Sequence, residues 1–255
     1  MKAIFAAAAV VALCGCHKGN LAVGTEHTSK FAGREITLRF KPHPGYACTY
    51  RVSTQIGLPK MDAETVSQFG DEETQKALSQ DSHATITIEI RYRVQNVSTN
   101  RIEVVMQTRV LEAKGSGAFT GMTNTNPELS RERQRFYNEF GERTDVDTTA
   151  DEFGPFLIAF PKDPIKIGEP FLRKRQQFGI SFVEEYVAED IEPIGGKEVV
   201  RIVKQVRDED QKIIGITKAA WFELDTGLLV KAKYTLDFSP SDPNRSGLWF
   251  YIDRS

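Results

Sequence analysis

Cysteine is scarce: Cys14, Cys16 and Cys48 are all the chain has in 255 residues. Three thiols do not build the dense disulfide framework that staples small secreted domains, so the fold must rest on a packed core. Histidine is rare too. The four are His17, His27, His43 and His83, and none sits at a zinc-ligand spacing from a cysteine or carboxylate, so no metal or other cofactor is expected. Neither sign of charge dominates: 33 Lys and Arg face 35 Asp and Glu. That balance offers nucleic acid no basic stripe and excludes it as a partner on electrostatic grounds. Past residue 13 no apolar run approaches the ~20 residues that span a bilayer as a helix. The Gly-x-Ser-x-Gly elbow, the phosphate loop and the dinucleotide fingerprint are absent as well. Gly115-Ser116-Gly117 lacks the strand-turn-helix setting of a nucleophile, and Glu184 and Glu185, being adjacent, point to opposite faces of a strand.

What is present begins at the N-terminus. Lys2 precedes an unbroken apolar run from Ala3 to Leu13, too short for a mature membrane helix and suited to the core of a cleavable export signal. Leu13-Cys14-Gly15-Cys16 follows directly. This string resembles the bacterial lipobox, with Leu three places before the modified cysteine and a small residue just before it. The resemblance covers the export segment only. It implies cleavage after Gly15 and a diacylglyceryl thioether on Cys16, with acyl chains worth about 0.8 kcal/mol per buried CH₂ holding the protein to a membrane. Choosing Cys14 instead puts bulky Leu13 at the cut, so Cys16 is the expected acceptor. Residues 1–15 then form the signal peptide, 16–33 a lipidated tether, and 34–255 a single β-rich domain. His17 stands where the resemblance associates Asp with inner-membrane retention, so in a two-membrane bacterium the outer membrane, facing the periplasm, is the expected address. Cys48 is left without a disulfide partner and reads as a small buried hydrophobe on the same strand face as Tyr46 and Tyr50.

Period-two alternation dominates that domain. In 84–94 every even position is apolar: Ala84, Ile86, Ile88, Ile90, Tyr92 and Val94. One face is therefore buried and the other wet. Ser98-Thr99-Asn100 turns this strand into 102–110, which alternates in the same way. Further strands are expected at 35–40, 46–56, 171–178, 182–191, 199–206, 212–224, 228–238 and 248–252. The turns among them are Pro42-His43-Pro44-Gly45, Gly195-Gly196 and Asp225-Thr226-Gly227. One or two short helices are expected in the charged stretch 62–80. Another is expected over 127–140, where Asn126 suits the cap, Pro127 the first turn and Gly141 the stop. Between them 115–121 reads as a flexible glycine loop, and 155–164 as a proline-rich bridge containing apolar 156–160. The strand groups 34–113 and 166–238 look loosely alike, the pattern a duplication leaves.

The fold class is thus mainly β: an antiparallel curved sheet of roughly ten strands, forming a barrel or half-barrel with short helices beside it. That outline resembles the open barrels of bacterial lipoprotein carriers and mycobacterial lipid-binding lipoproteins. The strings 157–169 and 222–229 are similar to ones in uncharacterised envelope lipoprotein families, which bring no reaction with them. Asp225-Thr226-Gly227 matches the aspartic-protease triplet, but those enzymes need two carboxylates, and the chain has no second triplet; Leu228 also departs from the pattern. A β-turn is the expected role. Arg131, Arg133 and Arg135 alternate with Glu128, Glu132 and Glu139 and read as a solvated face rather than a headgroup site. Tyr46, Tyr50, Tyr92, Trp221 and Tyr234 are the aromatics at strand spacing that could line a ligand cavity.

Three functions stay open at this stage. The first is a non-enzymatic, membrane-anchored envelope lipoprotein holding a lipid or other hydrophobic ligand in its barrel. The second is an envelope interaction or assembly protein whose core is filled. The third, a hydrolase, has no motif in its favour.

Overall fold

The computed structural model describes residues 29–99, 101–120, 132–145, 159–177, 180–207, 213–237 and 247–254. Twelve strands are described: β1 Glu35–Ile36, β2 Ala47–Leu58, β3 Ser82–Ser98, β4 Arg101–Gly115, β5 Glu132–Tyr137, β6 Ile165–Lys166, β7 Pro170–Gln177, β8 Ile180–Ile194, β9 Lys197–Arg207, β10 Ile213–Glu223, β11 Leu229–Asp237 and β12 Gly247–Arg254. Ten form one antiparallel sheet in the order β5-β4-β3-β2-β12-β11-β10-β9-β8-β7, while β1 and β6 pair as a separate ribbon. Neighbours in the sheet are mostly neighbours in sequence, the short-loop meander that alternating strands favour. The exception is β12. The last strand enters the middle of the sheet between β11 and β2, and thereby joins the two halves of the chain.

The sheet is open and curved, a half-barrel. Tyr137 on β5 and Tyr186 on β8 belong to one core cluster, although seven strands lie between theirs. In a flat sheet, strands ~4.8 Å apart would hold them roughly 40 Å from each other. The concave face wraps instead around the β1–β6 ribbon and its flanking segments. Leu38, Phe40, Phe160 and Ile167 are buried there against Val94, Val104, Ile202 and Phe222. Phe40 meets Tyr137 edge-to-face at 6.1 Å, and Phe160 meets Phe222 at 5.2 Å, the geometry aromatic quadrupoles prefer.

Two short helices lie in the β2–β3 connection: α1 Ala63–Ser67 and α2 Glu72–Leu78. Each starts at an aspartate whose carboxylate accepts a backbone N–H three residues on, Asp62 from Thr65 at 2.8 Å and Asp71 from Thr74 at 2.6 Å. The hydrogen bonds from Thr65 and Thr74 hold both carboxyls below their ordinary pKa. Among the described residues no helix is long and apolar enough to cross a membrane. In the β8–β9 hairpin Gly195 and Gly196 both take positive φ, 59° and 80°, as its two-residue turn requires.

Three local expectations are corrected. The helix expected over 127–140 is not formed where it is described, since 132–137 is strand β5, paired with β4 from Ile102–Tyr137 to Gln107–Glu132. Burying Tyr137 against Phe40 and extending the β4 ladder outweigh a weak helical preference. Gly141 does end the segment, but in a turn in which Asn138 Oδ1 accepts from the N–H groups of Phe140 and Glu142. The strand expected at 35–40 pairs only at Glu35–Ile36, because Phe40 donates its N–H to the carbonyl of Glu139 in the loop after β5 rather than to a ladder. The glycine loop expected at 115–121 is ordered over its described part: a 3₁₀ turn spans Gly117–Phe119, Ala118 N–H donates to Ser82 Oγ at 2.9 Å, and Phe119 is buried.

Phe222 is fully buried, whereas Leu172 is 66% exposed. Phe222→Ala is expected to cost about 3–5 kcal/mol of unfolding free energy through lost burial and the cavity left against Phe160. Leu172→Ala should stay within about 0.5 kcal/mol of the parent. Urea unfolding of both variants measures the contrast, and similar losses would contradict this division of the sheet into buried and wet faces.

Candidate functional site

A buried polar cluster lies under the β10–β11 turn. Glu223, the last residue of β10, is completely buried, and each carboxylate oxygen is engaged. Lys197 Nζ at 2.7 Å and Thr226 Oγ1 at 2.6 Å donate to Oε2, and the Arg254 guanidinium donates to Oε1. Arg254 also donates to the Tyr46 hydroxyl at 3.2 Å. Three strands and a turn thus meet at one carboxylate, β9 through Lys197, β10 itself and β12 through Arg254, and Arg254 extends the group to Tyr46, the residue before β2. The turn is the Asp225-Thr226-Gly227 triplet. Gly227 has φ 64°, and a side chain there would collide with the Arg39 carbonyl at 2.3 Å, so glycine is demanded by both conformation and space. Burial by itself raises the Glu223 carboxyl; hydrogen bonds from Lys197, Thr226 and Arg254 outweigh it and hold the pKa below the ordinary value. Glu223 is therefore ionised and fully bonded at neutral pH, the condition of a clamp.

Beside it run Tyr46, Cys48, Tyr50 and Tyr92. Tyr50 and Tyr92 are each 1% exposed, and the Tyr50 hydroxyl donates to the carbonyl of Leu229 at 3.0 Å. Cys48 is a free, half-buried thiol held between Tyr46 and Tyr50, as the strand parity predicts. Burial pushes its pKa up, which leaves little thiolate for nucleophilic chemistry. Burial likewise raises Tyr46, Tyr50 and Tyr92, so these phenols stay protonated.

Of the five aromatics expected along a cavity, the structure brings three together: Tyr46, Tyr50 and Tyr92. Trp221 lies elsewhere. It pairs across the sheet with Lys231 and Arg201 on the outer face, with Lys231 Nζ 4.6 Å and the Arg201 guanidinium 5.5 Å from its ring, and its indole N–H donates to Glu192. Tyr234 stands opposite Phe250 and Lys218 in the ladder, and its side chain lies outside the described residues, as does Cys16.

On the concave face the row Ile252–Val52 is buried, while Ile88 and Val110, which continue it on β3 and β4, are half-buried. The next row, Thr54, Ile86 and Ala113, is half-buried throughout. A band of apolar side chains therefore extends beyond the part of the face that the ribbon fills. On the outer face two open depressions are found among the described residues. One of about 490 Å³ lies over β2 to β5 beside Thr49, Arg91, Arg93, Gln107 and Glu132. The other, of about 270 Å³, lies over β12, β2 and β3 beside Trp249, Tyr251, Gln55, Thr85 and His83.

No model of a known protein family matches the sequence, and no curated protein matches it. Among solved structures the chain is similar to a predicted lipoprotein from Parabacteroides distasonis, at 12% identity over 86% of this chain and 97% of that one, with a TM-score of 0.30. It is also similar to DynF from the dynemicin biosynthesis pathway of Micromonospora chersina, at 9% identity over 91% of each chain, with a TM-score of 0.20. At TM-scores this low neither likeness bears on the fold or chemistry of this chain.

The clamp generates a signed pH dependence. Because the Glu223 pKa is depressed in the folded state, its contribution is fully present above the ordinary Glu value of about 4.3 and is lost as pH falls through the lower folded value. Glu223→Gln should cost about 3 kcal/mol at neutral pH, the low end for breaking a buried ion pair, since Lys197 stays half in water. The loss should shrink as the parent is acidified below about pH 4. Urea midpoints of parent and variant from pH 7 to 3 check this, and a gap that stays constant or widens in acid would refute it.

Proposed function

We propose that this chain is an exported lipoprotein of the bacterial envelope, held to a membrane by a lipid on Cys16, that carries a hydrophobic ligand on its concave face and catalyses no reaction. The observation that carries the ligand half of this reading is the half-buried apolar band. Leu38, Phe40, Phe160 and Ile167 seal one end of the half-barrel, while Ile86, Ile88 and Val110 stay half-buried on the same face. Half-buried apolar rows beside a filled core are where a nonpolar ligand gains most from leaving water, at roughly 25 cal/mol per Å². The anchor half rests on Leu13-Cys14-Gly15-Cys16 after its apolar run. With His17 next in line, the outer membrane, facing the periplasm, is the proposed address. The group around Glu223 supports the non-catalytic reading, since its carboxylate is saturated and the nearby thiol and phenols are protonated.

The complete burial of Tyr50 and Tyr92 favours a second reading, in which the core is already filled and the protein works by docking an envelope partner. Mass spectrometry of the full, lipidated protein separates the two. Its mass under native conditions should exceed its denatured mass by one nonpolar small molecule. Equal masses overturn carriage and favour docking.

The anchor is tested independently by growth with labelled palmitate. The parent and Cys14→Ser should both take up label, and Cys16→Ser should take up none. Label retained on Cys16→Ser would remove the anchor from this position.

A further inference from the structure

We propose that the outer face of β12, β2 and β3 is a carbohydrate-binding surface, with Trp249 and Tyr251 as the platform for one pyranose ring of a linear glycan. This site is separate from the concave band and does not depend on it.

The first observation is the placement of the aromatics. Tyr50, Tyr92, Tyr137 and Tyr186 are each 1% exposed, whereas Tyr251 is 37% exposed. It and Leu172 are the exposed large hydrophobic side chains among the described residues. Trp249 stands two residues earlier in β12, half-buried, and period two puts both rings on one face at a separation of about 7 Å along the strand. That face is the wet one. Trp249 is in register with Gln55, and Gln55 with Thr85, while Tyr251 is in register with Ser53, and Ser53 with Thr87. The alternate positions of the same strands, Val52, Ile90 and Ile252, form the core.

The second observation is the chemistry around the rings. The depression beside them holds about 270 Å³ and is bordered by the amide of Gln55, the hydroxyl of Thr85 and the imidazole of His83. These groups both donate and accept hydrogen bonds, and among the described residues no carboxylate or guanidinium borders the depression. Lys233, with Nζ 5.9 Å from the Tyr251 ring centre, is a cation beside the platform, and Lys114 is in register with Thr85. Flat aromatic faces beside uncharged hydrogen-bonding side chains suit a ligand with a C–H face and a hydroxyl rim, which is a sugar ring. A phosphorylated ligand calls for more cations, and an acyl chain calls for a deeper and drier cavity. The volume lies just under the range of about 300–1,000 Å³ typical of drug-sized ligands, so a single ring fits the seat.

The third observation is continuity. Thr49, which borders the larger depression of about 490 Å³, lies six residues from Gln55 on the same face of β2, roughly 20 Å away at ~3.3 Å per residue. Ser53 and Arg51 lie between them on that face. A linear chain of sugar rings leaving the Trp249 seat along β2 enters that second, polar depression beside Thr49, Gln107 and Arg93.

The chain contains two tryptophans, so Trp221→Phe leaves Trp249 as the sole indole emitter. The full-length Trp221→Phe protein is titrated with the linear tetrasaccharides of N-acetylglucosamine, β-1,4-glucose and α-1,4-glucose, and with the matching monosaccharides. A saturable change in emission is expected with at least one tetrasaccharide, at an affinity tenfold or more above its monosaccharide. Adding Tyr251→Ala, and separately Gln55→Ala, should weaken that binding at least tenfold while leaving the urea midpoint within error of the parent, because both side chains are exposed. Silence from all three tetrasaccharides overturns the proposal. So does binding that is indifferent to both substitutions.

Discussion

A single buried carboxylate closes this fold. The sheet is two meanders joined by β12, a short C-terminal strand that must hold β2 on one side and β11 on the other. Backbone ladders alone leave such a strand free to fray from its end. Arg254, at the last position of β12, is instead tied to Glu223 on β10 and to Tyr46, the residue before β2. Desolvating a carboxylate costs several kcal/mol, and that penalty is offset only where charge and hydrogen bonds saturate it. Glu223 meets this condition with Lys197, Thr226 and Arg254 together. Thr226 is local to Glu223, but Lys197 and Arg254 come from β9 and β12, so the two charged partners are in place only once those strands have joined β10. The clamp therefore specifies the assembled sheet rather than any one hairpin.

With the seam closed, curvature follows from what lies inside it. The ribbon of β1 and β6 places Ile36, Ile165 and Ile167 against the concave face, and both meanders must bend toward it to bury their apolar rows. The ribbon also ties the start of one meander to the start of the other, since β1 precedes β2 and β6 precedes β7. Farther along the same face Ile86, Ile88 and Val110 are half-buried. The sheet thus has two different surfaces, a concave one graded from buried to half-buried and an outer one that is polar with a few aromatic rings. A single alternating sequence pattern generates both.

That pattern is why the fold class, the hairpins and most strand positions were legible in the sequence. Alternation in 84–94 and 102–110 has one main apolar phase, and β3 and β4 turn that phase to the concave face, where it is buried or half-buried. Legibility failed where both phases were apolar or where pairing was distant. In β10, Ala219 and Trp221 alternate with Ala220 and Phe222, and only the cross-strand partners Lys231 and Arg201 show that Trp221 faces outward. A register shift beside Trp221 and Phe222 then brings Leu229 rather than Val230 opposite Phe222. Residues 132–137 satisfy a helical and a strand pattern alike, and the free edge of β4 settles the matter. The Glu223 cluster left no local signal at all, because residues 46, 197, 223, 226 and 254 share no spacing. The Asp-Thr-Gly turn above it was visible, but not the carboxylate beneath.

An open sheet keeps two edges, and an unguarded edge is a template for pairing with another chain. Among the described residues these edges are β5 and β7. On β5, Arg133 and Arg135 share the strand phase of Tyr137, which is buried, so two cations stand on the core-facing side of that edge. On β7 the sequence opens with Pro170, which lacks an N–H to donate, and continues through Arg173-Lys174-Arg175. A proline at the start of an edge strand and cations on the core-facing side of the other are devices that discourage pairing with a further chain. A sheet that stays open needs such guards at both ends, and its two described edges each carry one.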